Sequence, residues 1–407
     1  MSKNSTANGT TVVIPTYWTW PSSESRRPET ASYDHPTPLD GASTLPRLLD
    51  DLCGQRGPAF RVLVLTGLAH PELGQAVADH MHMLLAPYHD RLDIYACDAP
   101  TWVRLKAILE SSGLPTEGLF LGSYSGIRNL QLLVPHIMGA QVIVALDDDE
   151  SIEPDYVKRA LAFVGKEING QRVLGLAGPY LQPDGSVLLP EPPPTGNLLR
   201  DKGRYINDAM RTLTSARGAL VHSPMALGGN MVFHHDLFTH VPFDPGITRG
   251  EDIDYLINAR LQDILWWFDA ELTILHLPPK HYDTPIYQRM REDVFRFIYE
   301  HEKLRLHGHV APDWLDPYPG ALLQDNLIEH ALSALQAEAT PDLVAHFGDP
   351  RTIVEQAQAH AAHNAPLYQR FVQEWEQLMT RIEQDAPLCD ELAASIHRLG
   401  GQGFSNQ

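Results

Sequence analysis

Val142-Ile143-Val144-Ala145-Leu146-Asp147-Asp148-Asp149-Glu150 is the stretch on which the reading of the chain turns. Its five leading residues are apolar and include two valines and an isoleucine, the composition of a buried strand. Four carboxylates follow without a break. Like charges this close repel and raise their own pKa values unless a cation lies among them. A hard divalent ion is the simplest remedy, because Mg2+ and Mn2+ favour carboxylate oxygen and keep positions open for water or phosphate. Asp147 and Asp149 stand two residues apart, so in extended chain they project to the same side. The plainer alternative is a solvated acidic turn. Glu153-Pro154-Asp155 reads as a helix start, which assigns part of the charge to capping.

Composition bounds what such a site can serve. With 407 residues the chain makes one large or two moderate domains. Its net charge of −20, from 31 basic and 51 acidic residues, argues against a general nucleic-acid or anionic-membrane binder. A single small basic pocket for phosphate remains compatible with it. Cys53, Cys97 and Cys389 are too scattered for a disulfide framework or a zinc spacing. The opening residues are polar, with no signal-peptide core, and no apolar run is long enough to span a bilayer. A soluble cytoplasmic protein is the expectation.

Around the acidic stretch, short apolar runs alternate with helical patterns. Thr11 to Thr16 reads as a buried strand stopped by Pro15. Trp20 to Ser43 is a long Pro- and Ser-rich connection. Leu45 to Leu52, Pro71 to Leu85 and Asn129 to Met138 read as helices, and Arg61 to Leu65 and Leu92 to Ala96 as strands. This order predicts an α/β fold with a mainly parallel sheet, whose ligands bind beyond the carboxyl ends of the strands. Further on, Val173 to Gly178 is strand-like, and Pro183-Asp184-Gly185-Ser186 predicts a hairpin joining Tyr180-Leu181 to Val187-Leu188-Leu189. Gly228-Gly229 precedes a strand, as a close backbone approach to a ligand or as a bulge. Gly250-Glu251-Asp252-Ile253-Asp254 opens a helix, and Trp266 to Phe268 and Leu272 to Leu275 read as strands. From Tyr287 to Leu399 the pattern is helical, bracing the sheet or offering a surface for a homo-oligomer.

Taken together, residues 11–282 resemble a metal-dependent glycosyltransferase of the GT-A fold, closest to the large inverting family-2-like group. Val12-Val13-Ile14-Pro15-Thr16-Tyr17 resembles its first strand, and Gly126-Ile127-Arg128-Asn129 the segment that precedes the acidic strand. Leu146-Asp147-Asp148-Asp149 matches the DXD-type motif. Gly228-Gly229-Asn230 and Gly250-Glu251-Asp252 resemble the acceptor-side turn and the helix start that bears the base. The resemblance divides the chain into a donor half (11–150), an acceptor half (151–282) and a helical C-terminal region (283–400). The long Trp20 to Ser43 loop and the 181–222 insertion depart from the common pattern.

The resemblance also implies roles. The donor is a nucleotide sugar, and the acceptor a sugar, a glycolipid or a small hydroxyl compound. Mn2+ or Mg2+ is held by Asp149, with Asp147 contacting the ribose or sharing the metal, and with His276 as a further ligand. His281 competes with His276 for that place. Pro15, Thr16, Tyr17, Asn129 and Asp148 border the donor, and Arg128 and Lys280 hold diphosphate oxygens. Gly228, Gly229 and Asn230 face the acceptor. Asp252 is the general base and Glu251 orients the attacking hydroxyl, which implies inversion. Retaining relatives that act on glycerate or phosphoglycerate carry similar motifs in the same order. Two other classes stay open. One is a haloacid-dehalogenase-type phosphatase with Asp147 as nucleophile. The other is a non-catalytic sugar-nucleotide binder.

Overall fold

The first strand, β1 (Thr10–Thr19), runs well past the proline that was expected to stop it. Pro15 is tolerated because of where its missing N–H would point. Backbone groups alternate from side to side along a strand. The Val13 carbonyl accepts from Leu146 N, so Pro15, two residues on, faces the same flank. Pairing on that flank has already ended at Val13 opposite Ala145. A strand proline is allowed where no ladder bond is lost. The computed structural model describes residues 9–22, 36–216, 218, 220–279, 285–308 and 312–398.

The main sheet adds β2 (Arg61–Leu68), β3 (Ile94–Cys97), β4 (Val142–Ala145), β5 (Gly175–Ala177), β6 (Val221–His222), β7 (Met231–His234), β8 (Trp266–Phe268) and β9 (His397–Arg398). Its order is β6-β8-β5-β7-β4-β1-β2-β3-β9, with Thr37–Pro38 also pairing on β1. β3, β2, β1 and β4 are all parallel, in the 3-2-1-4 order of a doubly wound nucleotide-binding half. β7 runs antiparallel to both its neighbours, and β6 and β9 are antiparallel edges. The expected α/β class and largely parallel sheet are present. β1 is where the connections reverse direction, so its cleft with β4 is the topological switch point. A second sheet joins Tyr180–Leu181, Ile274–His276 and Glu150–Ser151.

Helices α1 (Leu45–Cys53), α2 (Gly74–Leu85), α3 (Ala99–Ser111) and α4 (Tyr124–Ile137) connect the parallel strands. Period two sorts the strand residues between the faces. Val12, Ile14, Val62, Val64 and Val144 pack with α1 and α2, while Val13, Leu63, Leu65, Ile143 and Ala145 pack with α4. Both faces are covered, so the strands read as continuous apolar runs. α4 begins five residues earlier than its apolar pattern indicated and is buried from Ser125 through Ile137. That places Arg128 and Asn129 inside the protein.

Later helices are α5 (Lys202–Ser215), α6 (Glu251–Leu261), α7 (Ile286–Leu306), α8 (Leu327–Glu338), α9 (Pro350–Asn364), α10 (Tyr368–Gln384) and α11 (Ala386–Ser395). The helical C-terminal region is therefore present, but it shares one continuous core with the sheet. Trp375 Nε1 donates to the Phe238 carbonyl at 2.9 Å and Tyr368 Oη to that of Pro242 at 3.0 Å. The hairpin expected at 180–189 is not formed. The turn closes, with Gln182 N donating to Ser186 O, but Tyr180–Leu181 pairs instead with Ile274–Leu275. Leu189 is held by Asn207 of α5, through both its N–H and its carbonyl. Among the described residues, no helix is long and apolar enough to cross a membrane.

Candidate active site

The acidic stretch leaves β4 at the switch-point cleft, and each carboxylate takes a different partner. Asp148 turns toward β1 and accepts from Thr16 Oγ1 at 2.6 Å. Burial pushes its carboxyl up to about 7, with the Thr16 hydroxyl opposing the shift and Asp149 and Asp147 adding to it. Asp147 accepts from Arg128 Nη2 at 3.0 Å. Burial raises its pKa as well, against the pull of the Arg128 charge. Asp149 lies 3.4 Å from His276 Nε2. Its backbone carbonyl is held by Leu277 N at 2.9 Å and Arg47 Nη2 at 2.8 Å.

Glu150, fully buried, was not singled out in the sequence. Its Oε2 accepts from Asp147 N at 3.0 Å, and burial drives its pKa well above the usual carboxylate range. Gly229 lies flush against this carboxylate, and a Cβ there would collide with it. Gly229 N donates to Tyr180 Oη at 2.6 Å. Gly228 is equally confined, since a Cβ would sit 2.8 Å from Arg128 Nη2 and 3.7 Å from Asp252 Cβ. The two glycines thus let the β7 turn lie on the acidic loop, and that close approach explains them without a bulge.

Arg128 joins the two halves of the cleft. Its side chain is 4% exposed. Nε reaches Glu251 at 3.3 Å, Nη1 reaches Gln131 at 3.0 Å and Nη2 reaches Asp147. Each nitrogen of the guanidinium makes one such contact, so it braces two carboxylates. Glu251 and Asp252 open α6 behind Gly250, which is left-handed at φ 70°. A Cβ on Gly250 would run into the Arg296 guanidinium, so a packing constraint as well as the turn requires glycine there. Glu251 is nearly buried, and burial raises its pKa, with Arg128 opposing and Asp252 adding to the shift. Asp252 is half-buried beside Gly228.

Several sequence-derived candidates fall outside this cluster. Asn129 is fully buried, and its amide is engaged with the Gly118 and Phe243 carbonyls and Phe243 N. It ties α4 to the 243 loop and has no face for a nucleotide. Asn230 is also fully buried, accepting from Tyr156 Oη and donating to the Leu272 carbonyl. It is a structural residue and not an acceptor contact. Pro15 is buried opposite Leu65; Tyr17 packs edge-on to Tyr124 at 5.4 Å but, unlike the others, stays close enough to Arg128 to act on its charge. Lys280 and His281 lie outside the described residues. Of the expected metal ligands, Asp149 and His276 stand together, while Asp147 gives an oxygen to Arg128.

Asp149 and His276 are the pair of ligand types brought together at this strand end, and among the described residues no third carboxylate or imidazole joins them at ligand spacing. Three aspartates in succession crowd one strand end, two of them with raised pKa values that a cation would relieve. Asp149 and His276 supply one oxygen and one nitrogen, and ions of this kind take phosphate and water for their remaining positions.

No family model and no curated protein matches the chain. Among solved structures it is similar to the mannosyltransferase PcManGT from Pyrobaculum calidifontis in complex with GDP-Man and Mn2+, at 13% identity and TM-score 0.46. That alignment covers 95% of this chain and 86% of that one. TarS of S. aureus aligns at 13% identity and TM-score 0.34, over 91% of this chain and 55% of that one. GalNAc-T7 with UDP, GalNAc and Mn2+ aligns at 12% identity and TM-score 0.37, over 83% and 57%. This chain spans little more than half the length of the last two. Likeness this distant leaves the assignment to the strand order and the site.

Proposed function

We propose that the protein is a divalent-metal-dependent glycosyltransferase of the GT-A type, transferring a sugar from a nucleoside-diphosphate donor to an acceptor hydroxyl with inversion. The observation that carries this reading is the Arg128 bridge. One buried guanidinium binds both Asp147 of the acidic loop and Glu251 of the α6 start. A donor site and an acceptor site are thereby held at a fixed separation, as transfer between two bound molecules requires.

When bound, a divalent cation acts as a Lewis acid on the departing diphosphate. Asp149 and His276 are the residues to hold it, and Thr16 fixes Asp148 beneath them. Gly228 and Gly229 let the β7 turn close onto Arg128 and Glu150, which holds the acceptor-side backbone in place. Asp252 takes the proton from the attacking hydroxyl, and Glu251, oriented by Arg128, aligns that hydroxyl. The acceptor is a sugar, a glycolipid or a small hydroxyl compound. The strand that leads to Asp147 is fourth in the parallel run, not the first as a phosphatase nucleophile loop requires, so the glycosyltransferase reading is the better supported.

The test is incubation with Mn2+, a panel of uridine and guanosine diphosphate sugars, and candidate acceptors. Donor hydrolysis or transfer with inverted anomeric configuration is expected. Asp252→Asn should keep donor binding and cut transfer by roughly 100-fold or more. A fully active Asp252→Asn enzyme giving a retained anomer would overturn the inverting mechanism. Phosphate release from sugar phosphates without nucleotide would overturn the whole assignment.

A further inference from the structure

A second group of metal-ligand side chains lies outside the cleft. His136 sits eight residues beyond Arg128 on α4, about 12 Å along the helix. His235 follows β7 directly, and Glu383 is in the last turn of α10. One ligand atom from each lies within 4.8 Å of the other two. His235 Nε2 is 2.6 Å from Glu383 Oε1, and the two imidazole rings are 5.7 Å apart.

The outer contacts of these rings follow the pattern of ligating histidines, whose second nitrogen binds a carbonyl or a carboxylate. His136 Nε2 is 3.0 Å from the Met379 carbonyl, which fixes a neutral tautomer with its lone pair on Nδ1. His235 Nδ1 is 3.4 Å from Asp236 Oδ1. Phe238 stands edge-on to both rings and shields one side of the group.

We propose that His136, His235 and Glu383 form a second metal site that takes Zn2+ and clamps the C-terminal helix α10 to the sheet and α4. Two imidazoles and one carboxylate suit zinc, which accepts three protein ligands and completes a tetrahedron with water. The three ligands come from three separate elements, so the bound ion stabilises the docking of the C-terminal region by mass action. The cleft carboxylates, by contrast, offer the oxygen-rich environment that Mg2+ or Mn2+ prefers.

The experiment uses the full chain, stripped of metal, in an Asp149→Ala background that removes the cleft ion. Zn2+ titration by calorimetry should give one equivalent per chain, and Co2+ should give the strong visible bands of four-coordinate geometry. Glu383→Gln alters a side chain that is 45% exposed, so the variant should fold. It and His235→Gln should each weaken Zn2+ binding by well over about 10-fold and abolish the rise in melting temperature that Zn2+ causes. Zn2+ binding unchanged in both variants, or Co2+ spectra of six-coordinate strength, would overturn the proposal and leave a plain His235–Glu383 ion pair. The readout does not depend on sugar transfer.

Discussion

Arg128→Met tests the bridge that organises the cleft. The substitution keeps an unbranched apolar stem and removes the guanidinium with its charge. It leaves Glu251, whose side chain is 10% exposed, and Asp147, 27% exposed, without their shared cation. Breaking a buried pair this way costs about 3–5 kcal/mol. Proton uptake sets a ceiling on that loss. From the ordinary glutamate value of 4.5, keeping Glu251 protonated at pH 7 costs about 3 kcal/mol, and at pH 5 about 1 kcal/mol. Asp147 retains more water, so Glu251 dominates. In the variant the folded-state pKa of Glu251 rises further above its unfolded value. The penalty is therefore absent at low pH, grows as pH rises past the unfolded pKa, and is complete above the folded one. Urea unfolding should show a loss of about 3 kcal/mol at pH 7, shrinking to about 1 kcal/mol at pH 5. A loss below about 1 kcal/mol at both pH values would refute the bridge, since surface ion pairs are worth no more than that.

Gly250→Ala should cost about 1–2 kcal/mol for the left-handed backbone alone, and more because the new methyl displaces Arg296. Thermal unfolding and transfer assays should fall together, and a variant as stable as the wild type would contradict the local geometry. Burial raises Glu300 to about 7 against the pull of Arg296. The native state then holds a proton that the unfolded chain releases, so stability falls as pH rises from about 4.5 to about 7, by roughly 3 kcal/mol at most. Glu300→Gln should flatten that slope in unfolding curves taken at pH 5 and pH 7, whereas an unaltered slope would remove Glu300 as its source.

The parallel sheet was legible because its strands are buried on both faces and bounded by turns, and Asp147 to Glu150 mark the end of β4 in composition alone. The acids and glycines that stood out in the sequence lie near one another in the fold: Gly228 beside Arg128 and Asp252, Gly229 against Glu150, and Glu251 on Arg128. The sequence could not tell Asn129 and Asn230 from ligand contacts, because an amide that satisfies buried backbone looks the same in one dimension as one that faces a nucleotide. The hairpin at 180–189 failed for a related reason. Turn chemistry specifies the turn, but long-range pairing with Ile274–Leu275 decided the partner of Tyr180. Arg296 carries no local signal at all. It is an ordinary residue of a charged helix until α7 packs against Gly250. Glu150 was hidden among its neighbours, and only its fully buried position beneath Gly229 separates it from a capping acid.

On the proposed reading, the carboxylates that follow β4 hold a divalent ion together with the pyrophosphate of the donor. Calorimetric titration of uridine and guanosine diphosphates, with and without Mn2+, into the wild type and Asp149→Ala tests it most directly. Binding of at least one diphosphate that needs Mn2+ and disappears in Asp149→Ala is expected. Equal affinity without the metal, or in the variant, would contradict it.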